Sequence, residues 1–145
     1  MRNLILVILP LLTHHLIAQD GACTVAAGGY DVVSFFTSQE AQRGSGLHTS
    51  DFKGATYLFS SEANKKAFDA SPEAYAPQFG GYCAYGVALG KKFVGDPNFW
   101  AIVDGKLFFN LNGDIQATWA KDRNAMIKTA FEKWSSIASV APSNL

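Results

Sequence analysis

The side chains of this sequence best suited to hold an ion or attack a substrate are a thiol, an imidazole and a carboxylate: Cys83, His48 and Asp31. Cys83 lies in Gly80-Gly81-Tyr82-Cys83-Ala84-Tyr85-Gly86. A helix opening at Gly81 or Tyr82 puts Cys83 in its first turn, where unpaired backbone N–H groups stabilise a thiolate. A thiolate can ligate copper or zinc, attack an electrophile, or form a disulfide with Cys23. A lone cysteine can equally pack as a small apolar group. No second cysteine lies within three residues, so the redox motif C-x-x-C is absent.

His48 falls in the polar stretch Gly46–Ser50, read as a loop. It could supply half of a soft-metal site with Cys83; the plainer role is a solvated loop histidine. A four-coordinate zinc site would have to recruit carboxylates or Cys23. Asp31 is a further candidate ligand, or else a cap for a backbone N–H. Asp96-Pro97 reads as ordinary turn chemistry.

Aromatic residues are dense around the cysteine. Phe79, Tyr82, Tyr85 and Trp100, with Tyr30 from the earlier Gly-Gly-Tyr, are candidates to line a small-molecule pocket; Tyr75 and Phe93 are close in sequence. The competing reading is that they are core. Enzyme signatures are missing. Gly86–Lys91 is one residue short of a phosphate-binding P-loop and lacks its Ser or Thr, and neither G-x-G-x-x-G nor G-x-S-x-G occurs. These absences argue against a hydrolase and favour binding over catalysis, while a cysteine-dependent activity stays open.

The elements that must position these residues read as an α+β domain. Tyr30–Phe36 suits a buried strand, and Ala55–Ser60 alternates as a second. Ser60 or Ser61 caps a helix with Glu62 in its first turn. Ser71-Pro72 restarts a helix that Pro77 stops. Phe99–Val103, Asp104-Gly105 and Lys106–Leu111 make the clearest hairpin, because Asp-Gly supplies the positive φ values of a type I′ turn. A long C-terminal helix follows, with Ile115, Trp119, Met126 or Ile127, Ala130 and Trp134 at helical spacing. The expected architecture is one small antiparallel sheet under three or four helices. Residues 20–28 read as a flexible leader, 29–138 as one domain, and 139–145 as a tail. No internal repeat is evident.

Bulk properties bound the function. The chain has 145 residues, 48% of them hydrophobic, enough for a core without metal or disulfide support. Formal net charge is zero and no basic stripe appears, which excludes nucleic acid as a partner. The N-terminus reads as an export signal over residues 1–19: Arg2, an apolar run from Leu4 to Leu12, then small and polar residues. That run is too short to span a bilayer, and no other segment reads as transmembrane. His14 and His15 belong to this segment. Ala22 and Gly21 before Cys23 partly fit a lipidation signal, which Asp20 does not. The expected location is periplasmic or extracellular.

Several phrases carry a family resemblance: residues 29–36 (GYDVVSFF), 57–60 (YLFS), 68–75 (FDASPEAY), 75–90 (YAPQFGGYCAYGVALG) and 104–110 (DGKLFFN). Together they resemble an exported YHS-domain protein over residues 28–135. The resemblance implies a compact α+β fold and, from the better-understood branch, handling of copper or another heavy metal through cysteines beside these motifs. Ser34 or Phe35, and Ser61 and Ala63, stand about where those cysteines would fall. The implied metal site therefore rests on Cys83 and His48, with a small-molecule pocket as the alternative.

Overall fold

The computed structural model describes residues 24–145. The expected signal segment, its two histidines and Cys23 lie outside the described residues. The fold is α+β, with six α-helices and two two-stranded antiparallel sheets among the described residues, where one sheet was expected.

The element order repeats. A 3-10 turn (Ala26–Gly29) leads into α1 (Ser34–Thr37), the hairpin β1 (Ser45–Phe52) and β2 (Ala55–Phe59), then α2 (Glu62–Ala70) and α3 (Pro72–Tyr75). A second 3-10 turn (Gln78–Gly81) opens the same series: α4 (Ala84–Ala88), β3 (Asp96–Val103), β4 (Lys106–Asn110), α5 (Gly113–Ala120) and α6 (Arg123–Ile137). The chain thus repeats one arrangement of elements, where no internal repeat was expected.

The correspondence holds residue by residue. Both turns place three successive residues at positive φ, Ala27-Gly28-Gly29 and Phe79-Gly80-Gly81, before the paired tyrosines Tyr30 and Tyr82. Asp31 N donates to Gln42 O at 2.8 Å and Cys83 N to Phe93 O at 2.8 Å. The pairs Thr49–Leu58 to Phe52–Ala55 in the first ladder match Trp100–Phe109 to Val103–Lys106 in the second, with a register break at the same place. Lys53-Gly54 and Asp104-Gly105 close the hairpins, all four at positive φ as a type I′ turn requires. Ser61 and Asn112 cap α2 and α5 by accepting from Asn64 N and Ile115 N. Close packing repeats as well: a Cβ on Gly44 would run into Leu58, and one on Gly95 would lie 2.6 Å from Phe109 Cβ.

Two segments differ from the sequence reading. Tyr30–Phe36 is not a strand: Tyr30 makes one bridge to Arg43, and α1 begins at Ser34. Val32 and Val33 are buried in the turn that leads into α1 and Phe35 on α1 itself, and so short an apolar run cannot be told from a strand by composition. Ser45–Phe52, read as a polar loop, is β1. The end of the expected leader is also fixed, with Val25 bridging Thr56 and residues 26–28 in the first 3-10 turn. The expected long C-terminal helix is α6, but it begins at Arg123; Ile115 and Trp119 lie on the separate α5, with the break at Lys121 and Asp122.

Each repeat builds a core cluster. Phe35, Phe59 and Phe68 anchor the first; Val87, Phe108 and Trp119 anchor the second. Phe68 and Trp119 hold the same helical position in α2 and α5 and are 1% and 0% exposed. Burying a side chain of that size contributes about 2–3 kcal/mol. β4 separates the clusters. Leu107 and Phe109 face the first and Phe108 the second, as period-two alternation dictates. Residues 139–145 are tied down: Lys92 Nζ donates to Ala138 O and Val140 O, both at 2.7 Å, and Leu145 packs on the second cluster.

Candidate functional site

The three expected metal ligands do not form one site. Among the described residues, no three His, Cys, Asp or Glu side chains are placed to hold a metal ion. Each has a separate local role.

Asp31 is fully buried. Its Oδ1 accepts from Val33 N at 2.9 Å. Its Oδ2 accepts from Ser60 N at 2.8 Å, Ser60 Oγ at 2.6 Å and Asn64 Nδ2 at 2.7 Å. Four donors replace the water that a buried carboxylate loses. The residue ties the start of α1 to the end of β2 and to α2.

Cys83 is a free thiol, 1% exposed. It is the N-cap of the five-residue α4, which opens two or three residues later than expected, and Sγ accepts from Gly86 N at 3.5 Å. Sγ also lies 3.8 Å from Oδ1 of Asn110, a fully buried residue whose Nδ2 has no partner. Turning that amide by half a rotation lets Nδ2 donate to the sulfur.

His48 sits on β1, with Nδ1 3.2 Å from Glu62 Oε2. Both side chains reach solvent.

The residues expected to line a pocket fall in different places. A cleft of about 800 Å³ opens between the repeats. Residues 24–28 and 76–81, the segments that run into the two 3-10 turns, form opposing stretches of its lining. Phe79 and Tyr82 line it as expected. Tyr30, Tyr85 and Trp100 do not. Tyr30 lies under the Arg43 guanidinium at 4.0 Å, Trp100 packs on Phe35 at 5.1 Å between ring centroids, and Tyr85 packs on the second core cluster.

Four aromatic lining residues escaped the sequence reading: Phe52, Tyr57, Phe131 and Trp134. Phe52 and Tyr57 belong to the first hairpin, Phe131 and Trp134 to α6. The sequence signal that could have found them is the repeat itself, which makes the space between two similar halves the natural concavity. Trp134 packs at a tilt against Phe79 and Tyr82, with ring centroids 5.7 and 6.2 Å apart. At the rim Lys53 Nζ pairs with Glu73 Oε1 at 2.8 Å. Burial and, secondarily, the Glu73 charge push the Tyr57 phenol above its ordinary value of 10.0.

Among the described residues no helix is long and apolar enough to cross a membrane. No curated protein and no solved structure matches the chain. A family model of the YHS domain matches residues 46–79, the stretch from β1 through α3 into the second 3-10 turn. The chain is a YHS domain-containing protein.

Proposed function

We propose that this chain is a non-catalytic binding module that holds a small molecule in the cleft between its two repeats. The observation that carries this reading is the cleft: about 800 Å³, lined by aromatic side chains from both repeats. Ligand sites typically enclose roughly 300–1,000 Å³ and combine an apolar lining with few polar groups. Catalysis has less support. The only described thiol is buried outside the cleft, and His48 pairs with Glu62 on the surface, so nucleophile and base are not aligned. The N-terminal export pattern supports a role outside the cytoplasm.

A second reading, soft-metal binding through Cys83, is favoured by the YHS match, since such domains accompany copper handling. It requires Asn110 and the surrounding core to give way to an ion.

The test is a pair of titrations on the reduced protein and its Cys83→Ser variant. Thermal stability is followed against a panel of small aromatic compounds, and metal uptake against Cu(I) and Zn(II). The cleft reading expects a saturable rise in Tm with some panel members that survives Cys83→Ser, and no stoichiometric metal uptake. Stoichiometric uptake abolished by Cys83→Ser, with no response to the panel, replaces it with the metal reading.

A further inference from the structure

Accepting the cleft as the binding site, we infer that its ligand is an uncharged, multi-ring aromatic molecule rather than an organic anion or cation. The argument is one of charge and shape. Among the described residues that line the cleft, only Lys53 and Glu73 carry full charges at neutral pH, and they neutralise each other at 2.8 Å. An anionic ligand would have to draw Lys53 from Glu73, and a cationic one the reverse, with no net gain in charge. Two further cations beside the lining are committed elsewhere, the first being Arg43, which donates to Gly28 O at 2.9 Å and lies over the Tyr30 ring. Lys92 lies over the Tyr82 and Trp134 rings at 5.3 and 5.2 Å, yet it does not line the cleft. Its ammonium is committed to the carbonyls of Ala138 and Val140.

The walls point the same way. Phe52, Tyr57, Phe79, Tyr82, Phe131 and Trp134 offer ring faces and edges, which favour offset or edge-on packing against another ring system. Polar groups for orientation are few, chiefly Gln78, the Tyr57 and Tyr82 hydroxyls and backbone amides. A two- or three-ring ligand with one or two neutral polar substituents matches that supply.

The experiment uses the full chain and two matched fluorescent probes, neutral N-phenylnaphthylamine and its sulfonated counterpart anilinonaphthalene sulfonate. The expected result is saturable one-to-one binding of the neutral probe, about tenfold or more tighter than the sulfonate, a difference of about 1.4 kcal/mol. Phe131→Ala weakens the neutral probe about tenfold. Glu73→Gln frees Lys53 and tightens the sulfonate about threefold, as expected for one exposed charge. Val94→Trp narrows the mouth at a 77% exposed position, so a loss of probe there cannot be put down to a disrupted core.

Sulfonate binding as tight as neutral binding, within a cleft that Phe131→Ala and Val94→Trp both disturb, overturns the ligand class and leaves the cleft reading standing. Absence of saturable binding by either probe, or binding indifferent to both cleft variants, overturns the two together.

Discussion

Asp31 and Cys83 occupy the same position in the two repeats. Each follows the Gly-Gly-Tyr of a left-handed 3-10 turn, and each donates its backbone N–H across to the segment that precedes the hairpin. Each is buried, and each side chain accepts from a backbone N–H two or three residues ahead. The two candidates singled out for metal chemistry are therefore first of all the cap residues of a duplicated local motif. They differ in strength: a carboxylate accepts four hydrogen bonds in one copy, and a thiol accepts one weak bond in the other.

That difference sets the first prediction. Asp31→Asn turns an amide NH2 toward groups that are themselves donors, and leaves at least one of them buried without an acceptor. The expected loss is about 3 kcal/mol in urea unfolding. Cys83→Ser keeps a capping atom at an N-cap, a position that favours serine, and costs about 1 kcal/mol or less. Equal losses at the two sites would contradict the roles assigned to them.

How much of this was legible in the sequence depends on what each segment's signal competes with. The second hairpin was readable because Asp104-Gly105 fixes the turn and Leu107, Phe108 and Phe109 are buried on both faces. β1 was not readable. Its side chains are mostly polar and partly exposed, and Leu47 is 88% exposed, so no apolar alternation marks it. Tyr30–Phe36 misled because three buried β-branched or aromatic residues in a short run satisfy a strand template as well as a short helix. The duplication was hidden because packing preserves volume and burial rather than identity. Phe68 is answered by Trp119, Phe35 by Val87 and Tyr57 by Phe108, while the plain identities are mostly glycines that a turn or a close contact requires. The candidate site suffered for the same reason, since four of its six aromatic wall residues come from elements whose relation to the cysteine loop exists only in three dimensions.

The glycines supply a second prediction. Gly44→Ala and Gly95→Ala each force a Cβ into the neighbouring β2 or β4, at Leu58 and at Phe109. Each is expected to cost about 2–3 kcal/mol by overpacking, although neither has a positive φ. The control is Gly46→Ala, where an added methyl meets nothing within 4 Å and the change is expected to stay within about 0.5 kcal/mol. Chemical denaturation of the three variants checks the contrast.

Tyr57 gives a pH dependence. Its folded-state pKa is raised from 10.0 by burial and then by Glu73. The unfolded chain therefore releases this proton first as pH rises. The stabilisation is present in full below pH 10 and is lost as pH climbs through the raised value. Urea midpoints measured from neutral pH to about pH 11 should fall more steeply in the parent than in Tyr57→Phe, which has no proton to lose. Glu73→Gln lowers the folded-state value toward the unfolded one, so the decline should end at slightly lower pH and be smaller. A parent and Tyr57→Phe curve of identical alkaline slope would contradict the assignment.

Lys92 holds the C-terminal residues. Lys92→Met keeps the stem that packs beside Tyr82 and Trp134 but removes two charge-assisted bonds to Ala138 and Val140. The expected loss is about 2–3 kcal/mol. Faster hydrogen exchange should appear over residues 138–145, with the first repeat unaffected. Uniform acceleration over both repeats would show that the lysine supports the whole fold instead.

The Asp31 network also bears on how a chain with two similar halves finds its proper pairing. Each N-terminal turn could in principle dock on either hairpin, an error open to any duplicated fold. The side chains at the ends of the two hairpins discriminate. Asp31 needs Ser60 and Asn64, and the corresponding positions of the second repeat are held by Leu111 and Ile115. Docked there, the carboxylate would be buried with two donors missing, at a cost of several kcal/mol. One acidic residue thus serves as a sorting label, making the exchanged arrangement expensive while it fastens the correct one.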